Sequence, residues 1–220
     1  MLGLAIHTSS PQLGLMLKSI EACDIHKNNE PVERYQVWDL GREVSSQLHA
    51  KMIEFIAPYS WQDLSFVAVA KGPGGFTGTR IGVVAARTLA QQLDIPLYGV
   101  SSLAAIAAQH TNNIGTDKAL AVTLPAKREA VYGAIYHHDD QNILTEAIAE
   151  SVVPEDEWAQ QIEQWKGAPA GTTEVKLPNH AGLADSVRGV MTLAMAQWNQ
   201  GHRPNWSSVM PFYGQHPVHR

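Results

Sequence analysis

Residues 71–82 of this chain, KGPGGFTGTRIG, have the greatest capacity for chemistry. They follow a short apolar run, SFVAVA, and open a helical pattern. Glycines at such a junction let backbone amides approach a phosphate, or another stretch of chain, at a helix N-terminus. Gly72, Gly74, Gly75 and Thr77 are therefore a candidate phosphate or backbone loop. The known glycine motifs do not fit it. A Walker A loop needs Lys after Gly78, where Thr79 stands. A dinucleotide fingerprint needs a third glycine at the position of Thr77, and the only acid about 20 residues on is Asp94, at the start of a strand rather than its end. A plain strand-to-helix turn is the commoner use of such glycines.

The opening run AIHTSS is a second candidate. Two strands joined by a Ser/Thr turn can wrap a phosphate, as in actin-like ATPases, which place an acid before the turn because magnesium needs oxygen ligands. Here that residue is His7, read as a structural or interface histidine. Among the ten histidines no HxxxH or HExxH occurs, and only His137-His138 and His216/His219 cluster, so no metal site is expected. Cys23, in a polar loop, reads as a free thiol. Lys127 and Arg128, at a predicted hairpin tip, are candidate RNA contacts set against a plain solvated turn. Glu155-Asp156-Glu157 after Pro154 suits the first turn of a helix, where negative charge complements the dipole.

These residues need elements to hold them. Residues 2–8 and 13–18 read as a β-hairpin and 34–40 as a third strand, followed by an amphipathic helix over 43–59 carrying Val44, Leu48, Met52, Phe55 and Ile56. Then come a buried strand at 65–70, a helix at 77–93, a strand at 95–100 and a short helix at 101–109. That βαβα order implies parallel pairing. The second half predicts a hairpin of 119–124 and 130–136, a strand at 143–148, and helices at 155–165 and 181–198, with 112–117 as the boundary between halves. The 77–93 helix carries two apolar faces. Ile81, Val84, Ala85, Thr88 and Leu89 are expected to face the core, while Gly78, Gly82, Ala86 and Ala90 form a small-residue ridge suited to close helix approach. Two such faces mean either a fully internal helix or one docked on a partner.

Composition bounds the rest. With 220 residues the chain forms one large domain or two small ones, burying roughly 70% of its unfolded surface. Only 17% of residues are charged, against about 25% in a typical soluble domain, which leaves uncharged surface for a partner. Sixteen basic residues against twenty-one acidic ones exclude a globally basic nucleic-acid binder. Apolar runs fall far short of the ~20 residues of a membrane span. The opening residues lack a basic n-region, and one cysteine permits no internal disulfide, so a cytoplasmic location is expected.

From residue 72 on, GPGGFTGTRIGVVAARTLAQQLDIPLYGVSSL resembles the signature of the TsaB (YeaZ) family, close to GPGSFTGLRIG, a helix, then IPL-x-GVSSL. Gly75 stands for the usual Ser and Thr79 for the usual Leu. The resemblance continues more weakly through AIHTSS, the 43–59 helix and AKREAVYGAIY at 126–136. His7 replaces the usual Asp, Pro125-Ala126-Lys127 the usual Asp-Ala-Arg, and Ala130-Val131-Tyr132 the usual Glu-Val-Tyr. Near the C-terminus Phe212-Tyr213-Gly214 at best echoes the family's Tyr-Leu-Arg.

The resemblance implies an α/β, actin-like (ribonuclease H-like) fold of two related lobes, the second reduced, here 1–111 and 112–220. It implies a noncatalytic scaffold or activator without cofactor or metal. Its partner would be a TsaD-like transferase that threonylcarbamoylates the adenosine beside the tRNA anticodon, with a TsaE-like ATPase joining the complex and tRNA met through it. The first-lobe helices would carry the interface, at Val44, Leu48, Met52, Gly78, Gly82, Ala86 and Ala90, and could also support a homodimer. The competing reading is an ATP-dependent kinase or transferase of the actin-like superfamily acting alone. A metallopeptidase, a third reading, lacks every ligand motif.

Overall fold

The computed structural model describes residues 1–21, 31–111, 117–139, 143–212 and 214. Cys23, His216, His219, Tyr213 and the 112–116 stretch of the expected lobe boundary lie outside the described residues.

The first sheet has the order β3-β2-β1-β4-β5. Strand β1 (Leu2–His7) pairs antiparallel with β2 (Gln12–Ser19), which pairs antiparallel with β3 (Glu33–Asp39). On its other side β1 runs parallel to β4 (Leu64–Ala70), and β4 parallel to β5 (Leu97–Val100). Every residue of β1 is buried, because helices cover both faces; such strands read as continuous apolar runs rather than alternating ones. On one face Leu4, Ile6, Val67 and Val69 meet α1 (Val44–Ile56) and α2 (Phe76–Leu93). On the other, Ala5, Phe66 and Ala68 meet Val187, Val190 and Met191 of α5 (Val187–Asn199).

The second sheet has the order β8-β7-β6-β9. Strands β6 (Ala119–Pro125) and β7 (Ala130–His138) form the expected antiparallel hairpin, with β8 (Leu144–Pro154) along β7. β8 outruns its predicted 143–148 span by absorbing irregular register opposite Gly133–Tyr136. β9 (Thr172–Lys176), which the sequence did not announce, runs parallel to β6. Helix α3 (Ser102–His110) packs Leu103, Ile106 and Ala107 on Leu120, Val122 and Leu124 of this sheet. Its other side meets α5 so closely that a Cβ on Gly189 would lie 1.9 Å from the Ala105 carbonyl oxygen. Helix α4 (Glu155–Gln164) covers the far face through Trp158, whose Nε1–H donates to Thr123 Oγ1 at 2.8 Å. The layers thus run helices, sheet, helices, sheet, helix: two α/β lobes stacked through α3 and α5.

The predicted 181–198 helix is two pieces, a 3-10 turn at Leu183–Ser186 and then α5. The 112–220 portion does not stay with the second sheet. Helix α5 returns to the first, and the chain after it crosses the β5 edge, where Leu97 N–H donates to Pro204 O at 3.2 Å and Tyr98 Oη–H to His202 O at 2.6 Å. This strap continues past Val209, in the α1–α2 core, to Phe212, whose N–H donates to Lys71 O at 2.7 Å.

Candidate functional site

The glycine loop, the β1–β2 turn and the start of α2 form one packed unit. Gly75 N–H donates to Ser9 O at 2.6 Å, and Thr8 Oγ1–H to Gly78 O at 2.8 Å. A Cβ on Gly78 would lie 2.1 Å from the Thr8 carbonyl oxygen, and one on Gly82 2.1 Å from Thr8 Oγ1. Gly72 combines a left-handed φ of +99° with the strap's Phe212 carbonyl, 2.6 Å from where a Cβ would be. Of the candidate loop residues, Gly74 also abuts Ser9, while Gly75 and Thr77 are exposed. The space opened by Gly72, Gly74 and Gly78 is filled by the chain's own backbone, and that at Gly82 by the Thr8 hydroxyl.

His7 lies beneath this turn with no solvent exposure. Its Nδ1 accepts Ser9 N–H at 3.3 Å, so Nε2 carries the proton, and among the described residues Nε2 has no partner. Burial pushes its pKa down to about 3, and the ring is a neutral imidazole. No three His, Cys, Asp or Glu side chains among the described residues are placed to hold a metal ion.

A polar cluster joins the ends of β4 and β5 to the second sheet. Ser101 Oγ caps α3, accepting N–H of Leu103 at 3.1 Å and of Ala104 at 3.4 Å, and donates its own proton to Glu150 Oε2 of β8. Burial raises the Glu150 pKa, opposed by the Ser101 hydrogen bond and the Lys71 ammonium. The buried Tyr136 hydroxyl beside them is likewise pushed up, chiefly by burial. Sequence reading missed this cluster, whose members come from four separated segments. Lys127 and Arg128 sit exposed at the β6–β7 tip, Arg128 in the left-handed region at φ +61°.

Between α1 and α2 runs an open apolar groove of about 690 Å³. Ile53 and Val84 stand on its two sides with exposures of 62% and 61%, and Phe76 at its end with 44%. This reverses the expected orientation of α2. Gly82, Ala86 and Ala90 face the chain's own sheet and Gly78 the β1–β2 turn, while Ile81, Val84, Ala85, Thr88 and Leu89 line the groove. Small residues are needed on the face toward the turn, because they let α2 lie close on it; Val83 joins them in the core, Ile81, Ala85 and Leu89 are half-buried at its edge, and Val84 is left outside. On α1, Val44 and Leu48 are likewise internal, and Met52, at 5% exposure, forms groove floor. The usable signal was the match of Gly78 and Gly82 to a turn carrying Thr8.

Two stacked α/β lobes, built around β1–β2 and β6–β7 hairpins, define the class: an actin-like fold. Residues 47–199 match the family described as TsaD: tRNA N6-adenosine threonylcarbamoyltransferase. The chain belongs to this family, and within it to the TsaB (YeaZ) group. It is 39% identical over 103 residues to the tRNA threonylcarbamoyladenosine biosynthesis protein TsaB of Bacillus subtilis, covering 47% of this chain and 43% of that one. The match thus spans less than half of that relative. To the protein of the same name from Buchnera aphidicola (subsp. Schizaphis graminum) it is 28% identical over 171 residues, 73% of this chain and 79% of the relative. The solved YeaZ from Pseudomonas aeruginosa superposes with a TM-score of 0.68 at 19% identity, covering 97% and 100% of the two chains.

Proposed function

We propose that this chain is a noncatalytic subunit of tRNA threonylcarbamoyladenosine biosynthesis that pairs with a TsaD-like transferase through the α1–α2 groove. The observation carrying the reading is the pair Ile53 and Val84, large apolar residues more than half exposed on facing helices. Covering the exposed part of each would contribute about 1–2 kcal/mol, which favours a helical partner seated between them. The family membership supplies the partner. The neutral His7 and the self-filled glycine loop favour a scaffold over the alternative of an ATP-dependent enzyme acting alone. In this reading the lobes divide near residue 111, with α5 and the strap returned to the first; a TsaE-like ATPase joins the pair, tRNA is met through the complex, and the site of action is the cytoplasm. Lys127 and Arg128 stand as the chain's own candidate RNA contacts.

The test is reconstitution of tRNA modification from the TsaD-like subunit, the TsaE-like ATPase and the adenylate-forming enzyme, with and without this chain. Modification should require the chain and be lost with Ile53→Asp, whose melting curve should stay close to wild type because residue 53 is exposed. Undiminished modification by a folded Ile53→Asp variant refutes the interface, and turnover of ATP by the chain alone refutes the scaffold reading.

A further inference from the structure

The outer face of α2 is cationic as well as apolar. No Asp or Glu occurs anywhere in Phe76–Leu93. Arg80 and Arg87 lie seven residues apart, so about 10 Å along one stripe of the helix, with the exposed Val84 between them. Among the described residues neither guanidinium has a carboxylate within salt-bridge distance. Two acids next in sequence to groove-lining residues have other partners: Glu54, beside Ile53, pairs with Lys51 at 2.8 Å, and Asp63, two residues from Trp61, accepts from the N–H and hydroxyl of Ser60 at 2.8 and 2.9 Å.

Both cations are held in place by aromatic side chains. Arg80 lies over the Phe76 ring, 5.4 Å from its centroid. Arg87 lies over Trp206, 5.8 Å from its centroid, and its Nη1 is 3.3 Å from Met210 Sδ. Arg80 lines the groove itself, whereas Arg87, one stripe position further along α2, is held against the strap through Trp206 and Met210. A guanidinium fixed in this way loses less freedom on pairing and keeps its planar fork presented for a carboxylate.

We infer that Arg80 and Arg87 select the occupant of the groove: a helix of the TsaD-like partner that carries carboxylates about two turns apart beside its apolar stripe. The inference rests on the groove reading above. A second copy of this chain is the poorer occupant, because it brings another acid-free α2 and two more guanidinium groups to the same rim, and like charges set against each other disfavour a pairing. Trp206 and Met210 are positioning residues for Arg87.

The test is calorimetric titration of the purified TsaD-like protein from the same genome into this chain at 50 and 500 mM NaCl. Wild-type affinity should fall with salt, and Arg80→Glu/Arg87→Glu should weaken it by roughly tenfold per reversed charge at low salt while flattening the salt dependence. Trp206→Ala should reproduce part of the Arg87→Glu loss. With Arg80→Lys/Arg87→Lys, a zero-length carbodiimide should cross-link positions 80 and 87 to partner carboxylates, mapped by mass spectrometry. Wild-type affinity and salt dependence in the Glu double variant, or no cross-link at either position, overturns the inference while loss of pairing in Ile53→Asp leaves the groove standing. Unchanged pairing in Ile53→Asp instead refutes the groove itself. A homodimer that Ile53→Asp dissolves, with no binding of the TsaD-like protein, overturns the choice of occupant.

Discussion

His7 makes the acid stability of this protein calculable. The imidazole has an ordinary pKa of 6.5 when the chain is unfolded and about 3 when it is buried in the fold. The unfolded chain therefore binds a proton that the folded chain refuses, and the contribution of this group to stability falls as the pH drops through this window. The full effect, reached below pH 3, is about 5 kcal/mol from a shift of this size. Between pH 7 and pH 5 the loss is about 2 kcal/mol, since only the unfolded state titrates there. The perturbation is His7→Asn, which retains an acceptor for Ser9 N–H and cannot ionise. Urea unfolding of both proteins at pH 7 and pH 5 isolates the histidine, because all other groups cancel in the difference. At pH 7 wild type should be at least as stable; by pH 5 its advantage should shrink by about 2 kcal/mol, a relative midpoint change of about 1 M urea. Parallel losses in the two proteins would show that His7 titrates freely, and its burial beneath the β1–β2 turn would then be wrong.

Two further substitutions probe the packing, one beneath the groove and one in the second lobe. Gly78→Ala drives a methyl group to within 2.1 Å of the Thr8 carbonyl, backbone that cannot yield cheaply; a loss of about 1–3 kcal/mol is expected, read as a fall in Tm, and an unchanged Tm would deny the close approach of α2 to the turn. Trp158→Phe removes the buried indole N–H bonded to Thr123 and should cost about 1–3 kcal/mol in denaturant unfolding.

The existence of α2 was legible in its 3.6 period, but its rotation was not. Both faces are apolar, and the choice between them depends on a contact with Thr8, some 70 residues away in sequence. The β1–β2 and β6–β7 hairpins and the parallel β4–β5 pair could be read because their apolar runs and turn residues are local. Strand β9, TTEVK, could not: it is a polar strand at the edge of its sheet, paired with β6. The strap carries no period at all, being held by main-chain bonds to Leu97 and Lys71 rather than by a repeating face. The Ser101–Glu150 contact joins groups 49 residues apart, which no spacing rule connects.

The return of α5 to the first sheet bears on how the chain is made. Phe66, Ala68 and Ala5 acquire most of their cover from α5, so during synthesis the first sheet stays largely open on one side until nearly 200 residues have been joined. At ordinary elongation rates that is on the order of ten seconds or more of exposed apolar surface. The first lobe therefore completes its fold together with the second rather than ahead of it, and a nascent chain stalled near residue 111 presents a sheet that chaperones would hold.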